Sequence, residues 1–336
     1  MGSTCPPGIL PATRYACFNG VRPPKALPQL CLALLAEQMK TWPACREGYG
    51  ALSHVREREI ACSRFSVRLQ HNPGRMKSTL AEVGENAVQE RPCFLCPDNL
   101  PEGQKAILYR EDYLILCNPM PVFSAHFTVP HLTHRPQAAG EGASTLLRLA
   151  ADLGPAWAIL YNGPQCGASA PDHLHFQAVP AGRMPIEREI RLKERVVFVK
   201  RVDGVSIGRV RGVGREVVIL NGAGPAEVEG VFHRLLDAFK VVCLADREPM
   251  LNLICARQER KYVLLVFPRA KHRPDAFFRT GDGRVAVSPA VLEMGGIVVA
   301  PLERDFERLD ATLLEEIFRE VTLDAETVAH VMEALA

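Results

Sequence analysis

The sequence has no apolar run approaching the ~20 residues that a bilayer requires. Its longest apolar stretches, such as Leu30 to Leu35 and Tyr262 to Phe267, fall far short, so no membrane partner is expected. It also has no surplus of either charge. Forty Lys and Arg against 38 Asp and Glu leave a formal charge of +2, too balanced for an electrostatic nucleic-acid binder. A dense, even cysteine framework is missing as well. The 11 cysteines are an odd number scattered from Cys5 to Cys255, which excludes a secreted disulfide scaffold and fits a reducing, cytoplasmic setting. The opening segment MGSTCPPGILPATRY has no cationic flank followed by an apolar core, so a signal peptide is not expected.

What remains is an ordinary folded chain. Its 336 residues, 47% hydrophobic and 23% charged, suffice for about two domains of ~150 residues and exclude disordered, collagen-like and coiled-coil classes. Pro6, Pro7, Pro11, Pro23 and Pro24 mark an irregular N-terminal arm, and Leu30 to Met39 form an amphipathic helix ending near Trp42-Pro43. From Ile60 the pattern becomes that of a strand. Ala61, Ser63, Phe65, Val67 and Leu69 alternate with polar neighbours up to a turn at HNPGR. Two strands, YLILC and HFTVP, are expected between residues 108 and 130. A helix over 142–153 follows, then the strands AWAILYN and HLHFQAV around a glycine-rich loop.

From about Leu192 strand and helix signals alternate again: RVVFV, EVVIL, a helix over 226–244, LNLICA, YVLLVF, GGIVVAP and a helical region from Leu309. The class expected is α+β, dominated by antiparallel sheet with helices on one side. The segments PHLTHRP (130–136) and PRAKHRP (268–274) share four identities, each just after an apolar strand. This echo suggests two tandem half-domains. The expected division is an arm and helix over 1–59, a catalytic half over 60–190 and a second half over 191–336.

The most informative segment is YNGPQCGASAPDHLHFQAVP, residues 161–180. If it is a strand after a loop, His173, His175 and Gln177 line one face while Leu174, Phe176 and Ala178 anchor the other. Beside them Asn162, Gly163, Gly167, Ala168 and Ser169 can present polar and backbone N–H groups to a phosphate. A neutral imidazole in that setting can attack phosphorus and divide one substitution into two. The alternative is a pair of polar residues on an exposed sheet surface. Cys93-Phe94-Leu95-Cys96 is a redox pair, half a metal site or two buried thiols. Asn72, Arg75, Lys77 and Ser78 in the turn QHNPGRMKS, and Asn118-Pro119, are candidates for nucleotide contact or simple turn residues. Arg269, Lys271, His272 and Arg273 form a cationic cluster able to receive an acceptor phosphate. Cys117 and Cys166 read as packed residues.

An asparagine, a glycine-rich loop, a serine and then HxHxQ resemble the transferase branch of the histidine-triad (HIT-like) superfamily. That branch includes galactose-1-phosphate uridylyltransferases, diadenosine tetraphosphate phosphorylases and GDP-hexose phosphorylases. The resemblance is specific over residues 60–180, and no second HxH occurs, so the later half would be a degenerate HIT-like partner. It implies His175 as nucleophile and Gln177 in the place of the hydrolases' third histidine. A neutral amide there cannot act as an acid, which favours transfer to phosphate or a sugar phosphate over water. It further implies a structural zinc on Cys93, Cys96, His134 and His173, with His131 as the rival of His134. The activity implied is nucleotidyl transfer from a nucleoside diphosphate sugar or dinucleoside polyphosphate, in a monomer or homodimer. The alternatives are a dinucleotide hydrolase and a non-catalytic nucleotide-binding protein. The loop is one residue longer at Ala170-Pro171-Asp172 than in the uridylyltransferases.

Overall fold

The computed structural model describes residues 13–21, 26–81, 84, 87, 88 and 90–335; the five arm prolines lie outside them. The first strands are β1 (Arg14–Phe18), β2 (Arg56–Ala61), β3 (Ser66–His71), β4 (Ala106–Tyr109), β5 (Tyr113–Cys117) and β6 (Phe127–Pro130). Then come β7 (Trp157–Asn162), β8 (His175–Pro180), β9 (Val196–Val202), β10 (Val205–Val210) and β11 (Val218–Gly222). Last are β12 (Leu251–Gln258), β13 (Lys261–Pro268) and β14 (Ile297–Ala300). Eleven of them make one sheet in the order β1-β4-β5-β6-β8-β7-β12-β13-β11-β10-β9, and β14-β3-β2 make a second. In the large sheet only the β1–β4 pairing is parallel. The architecture is α+β.

The large sheet repeats its own order about the β7–β12 seam. Outward from the seam one side reads β7-β8-β6-β5-β4 and the other β12-β13-β11-β10-β9. On each side a long helix connects the third strand to the seam strand: Ala139–Leu153 between β6 and β7, Pro225–Val242 between β11 and β12. Ala139, Ala143, Leu146, Leu147, Ala150 and Leu153 are spaced three or four apart, so a single helical face is apolar and buried. Val228, Val231, Phe232, Leu235, Leu236 and Phe239 do the same in the second helix, which starts with Pro225 in its first turn. The PHLTHRP/PRAKHRP echo is not a sign of this repeat. Pro130 ends β6, third from the seam, whereas Pro268 ends β13, second from it.

Both faces of the sheet are covered, where helices were expected on one. Leu27–Thr41, Ala139–Leu153, Pro225–Val242 and Ala325–Ala334 bury one face with Ile159, Tyr161, Phe176 and Leu253. Against the other face, with Leu160, Val179, Ile219 and Leu265, pack the small sheet and the segment carrying Phe306, Leu314 and Phe318. Alternation along β7 and β8 thus feeds two cores.

The strand expected through 61–69 is a hairpin. The chain reverses where the Cys62 N–H donates to the Phe65 carbonyl at 2.8 Å, a turn that period-two alternation cannot register. Three short strands, β1, β4 and β10, also escaped the sequence reading; β1 lies in the stretch expected to be an irregular arm and is held by pairing with β4. No helix among the described residues is long and apolar enough to cross a membrane.

Candidate functional site

β8 begins at His175, so His173 belongs to the turn before it, its N–H donating to the Ala170 carbonyl at 3.2 Å. Two centres result, one on each side of the His173 backbone.

In the first, the His173 ring turns toward the CxxC knuckle. Its Nδ1 lies 3.2 Å from Cys93 Sγ and 3.6 Å from Cys96 Sγ, while its Nε2 is 2.7 Å from the His131 carbonyl. Since a carbonyl only accepts, Nε2 carries the proton and Nδ1 keeps its lone pair for a ligand. His134 Nδ1 sits 3.2 Å from Cys96 Sγ and its Nε2 is 3.4 Å from Asp172 Oδ2. One ligand atom from each of Cys93, Cys96, His134 and His173 falls within 4.8 Å of all the others. Tetrahedral bonds of ~2.3 Å to sulfur and ~2.0 Å to nitrogen put ligand atoms under ~4 Å apart, so this donor set fits zinc with little adjustment. The cluster is able to hold a metal ion. His131 is excluded from it, its ring edge-on to Tyr113 and its Nδ1 accepting from Thr133 N at 2.9 Å.

In the second centre His175 is almost fully buried. Gln137 clamps its backbone, Oε1 accepting from His175 N at 2.8 Å and Nε2 donating to its carbonyl at 3.0 Å. His175 Nδ1 is 2.7 Å from the His173 carbonyl and must donate there, which leaves the Nε2 lone pair free. Burial pushes the imidazole pKa down to about 4, so the ring is neutral at physiological pH. A cavity of about 250 Å³ lies over it, lined by Arg75, Ser78, Phe94, Asn118, Ser169 and Gln177 among others. Arg75, Ser78, Ser169 and Gln177 also face a smaller space of about 50 Å³. Its far wall comes from the later part of the chain, with His272, Arg273, Ser288 and Ala290.

The glycine loop closes that smaller space. Gly167 has φ +92, and a Cβ there would stand 2.5 Å from the Ala290 Cβ, so only glycine permits the approach. The N–H groups of Gly167, Ala168 and Ser169 donate to no group among the described residues. Gly163 serves another purpose. A Cβ on it would meet the Leu251 carbonyl at 2.8 Å, so it lets the loop start against β12 and lines neither space. Asn162 lines the smaller space, yet its Oδ1 accepts from Asn252 Nδ2 at 2.7 Å and from Val291 N at 2.8 Å. It ties the loop to the later part of the chain.

Other candidates separate clearly. Arg75 lines both spaces; its Nη1 donates to the Met120 carbonyl at 2.8 Å and burial lowers its pKa. Asn118 lines the larger space, its Oδ1 accepting from Met120 N at 2.9 Å. Asn72 is buried beneath, donating at 3.3 Å to Gln70 Oε1, and Lys77 is exposed; neither lines a space. Arg269 cannot bind an acceptor, because its five N–H groups go to Asn252 Oδ1 and the carbonyls of Val321, Pro289, Lys271 and His272. Lys271 pairs with Asp275 and Glu320. Arg273 donates to Ser288 Oγ and the carbonyls of Thr79 and Ala81, and its Nη1 donates to no group among the described residues. Cys166 is buried and its thiol pKa is pushed up to about 12, while buried Cys117 is raised further by Cys45. The sequence reading missed Gln137 and Ser288, which no spacing rule links to the HxHxQ strand.

Residues 34–180 match a family described as a domain of unknown function, DUF4922, and residues 201–336 match the GDPGP1-like C-terminal domain. Among curated proteins none matches. The structure of yeast Ap4A phosphorylase Apa2 in complex with Ap4A superposes with a TM-score of 0.57 at 13% identity, covering 89% of this chain and 98% of that one. Its complex with AMP gives 0.56 at 14%, covering 87% and 96%. The fold is that of yeast Ap4A phosphorylase Apa2, and residues 201–336 match the GDPGP1-like C-terminal domain.

Proposed function

We propose that this chain is a nucleotidyltransferase of phosphorylase type that works through nucleotidyl-His175. The observation that carries the reading is the His175 ring itself: neutral, its Nδ1–H fixed on the His173 carbonyl, its Nε2 lone pair free at a cavity lined by donors. In the first step Nε2 attacks the α-phosphorus of a nucleoside diphosphate sugar or dinucleoside polyphosphate. An N–P bond forms, the P–O bond to the leaving phosphate oxygen breaks, and a sugar phosphate or nucleoside polyphosphate departs with that electron pair. In the second step a phosphate oxygen attacks the same phosphorus, the N–P bond breaks and the neutral imidazole returns.

Arg75, Ser78, Asn118, Asn162, Ser169, Gln177 and the free N–H groups of Gly167 and Ala168 would hold the phosphoryl oxygens and nucleoside. Arg273 and His272 across the smaller space would receive the acceptor phosphate. The Cys93, Cys96, His134 and His173 set would hold a structural zinc, whose chemistry is to fix its ligands. His173 would then present its carbonyl to His175 without sagging. The repeated strand order supports separate halves over 60–190 and 191–336, with the nucleophile only in the first of them, whereas a boundary between 59 and 60 would cut β2. Turnover would occur in a monomer or homodimer, since both walls of the smaller space come from one chain.

The test is intact-protein mass spectrometry after brief exposure to nucleotide sugars and dinucleoside polyphosphates. Wild type gains one nucleoside monophosphate and loses it on adding phosphate, with a nucleoside diphosphate as product. His175→Ala gains none while still binding nucleotide. An adduct on His175→Ala, or release to water alone, refutes the assignment.

A further inference from the structure

His126, the residue before β6, takes no part in either centre as described, yet it is wholly buried and touches Gln177. We infer that His126 is a positioning residue that locks the Gln177 amide with its oxygen turned inward and its N–H donors toward the substrate, so that Gln177 favours an attacking oxygen that is already ionised. The inference rests on the proposed nucleotidyl transfer and narrows its acceptor to a phosphate or phosphomonoester.

The orientation follows from a chain of single protons. The Val122 backbone N–H donates to His126 Nδ1 at 3.2 Å, so that nitrogen must hold a lone pair. Burial, reinforced by the charge of Arg75, keeps the ring neutral, with its pKa near 3. A neutral ring with an accepting Nδ1 carries its proton on Nε2. That Nε2 lies 2.6 Å from Gln177 Oε1 and donates to it. Turning the amide over would set its NH₂ against an N–H, two donors face to face. The ring cannot retreat, because the Tyr49 hydroxyl accepts from His126 N at 3.0 Å and donates to its carbonyl at 2.9 Å.

Gln177 therefore offers donors alone to the wall it shares with Arg75, Ser78 and Ser169. The one carboxylate among the described residues that line the smaller space, Glu293, has its oxygens on Ala290 N (2.8 Å) and Val299 N (3.3 Å). His272 is a weak base, its pKa held near 4 by burial and by Arg273 and Arg269. Water or a sugar hydroxyl needs a base to take its proton; a phosphate oxygen does not.

Nitrogen-15 NMR of the substrate-free protein reads the tautomer directly. A proton on His126 Nε2 is expected, and one on Nδ1 overturns the inference whatever the activity. The second measurement is the partition of the adduct between phosphate and water. In His126→Phe, which cannot donate to Gln177 Oε1, the amide can turn its oxygen to the cavity and hold a water by hydrogen bonding where only donors stood, so adduct formation persists and the hydrolysed fraction rises at least tenfold. An unchanged partition refutes the positioning role. Should that variant not fold, Gln177→Glu serves: its second carboxylate oxygen would be a base facing the cavity, and the same rise is expected. If wild type forms no adduct, the proposed function fails while the NMR result still stands or falls alone.

Discussion

On its β6–β8 side the large sheet carries the candidate chemistry; on its β11–β13 side the same order of strands carries almost none. The contrast is sharpest in the two strands next to the seam strands. On β8 the face away from the long helices presents His175, Gln177 and Val179, whereas on β13 it presents Val263, Leu265 and Phe267, all packed in a core. A fold can thus be built twice while polar groups are placed once. The β13 side is still no bystander. The turn after β13 brings His272 and Arg273 to the wall opposite Gln177, so a strand without chemistry positions a loop that has some.

The largest test of this contrast swaps the kind of damage. Leu265→Ala should cost about 2–5 kcal/mol of folding stability by leaving a cavity, while each folded molecule still forms the adduct that His175→Ala abolishes. Denaturant titration and adduct yield per folded protein measure the two. Loss of adduct in well-folded Leu265→Ala would make the β13 side part of the chemistry.

Metal removal should act next, and on the β6–β8 side alone. Chelation, or Cys93→Ser, is expected to release one zinc per chain and to lower the melting temperature by several degrees, since a bound metal stabilises by its binding free energy. Elemental analysis with thermal melts checks this. Protein purified without chelator and free of zinc would refute it.

Acid separates the sides more finely. His126 and His272 have pKa values near 3 and 4 when folded, below the ordinary 6.5. The unfolded chain therefore binds their protons first. Stability is full above pH ~6.5 and falls as the pH drops toward 4, by at most about 1.4 kcal/mol per pH unit for each ring. His272→Asn should remove less of that slope than His126→Phe, because the second ring is wholly enclosed. Equal slopes at pH 4.5–6 in all three proteins would contradict the burial argument.

The smallest effects concern the cations. Arg273→Gln is expected to raise the KM for phosphate about tenfold with adduct formation unchanged, and Lys77→Ala to change neither twofold. Steady-state kinetics in phosphate decides. Equal effects would mean that the far wall is only a surface.

Much of the site was legible because its parts are close in sequence. The CxxC knuckle and HxHxQ each lie within a few residues, and their chemistry is written in residue type and spacing. The turn QHNPGRMKS was less readable. Asn72, Arg75 and Lys77 are equally polar, but only Arg75 reaches the cavity, because the other two point into the small-sheet core region and into solvent. Arg269 and Arg273 are likewise indistinguishable as letters, although one is consumed by five acceptors and the other, among the described residues, by three, with none on its Nη1.

By itself the sequence determined the α+β class, the helices expected over 142–153 and 226–244, the CxxC pair and the neutral amide after the paired histidines. These depend on periodicity and residue chemistry, which are local. Only the tertiary structure decided that His134 rather than His131 meets the thiols, that His126 fixes the Gln177 amide, and that Arg273 faces Arg75 across about 50 Å³. Each joins residues from 38 to almost 200 positions apart through the pairing of strands, and no spacing along the chain records which strands will pair.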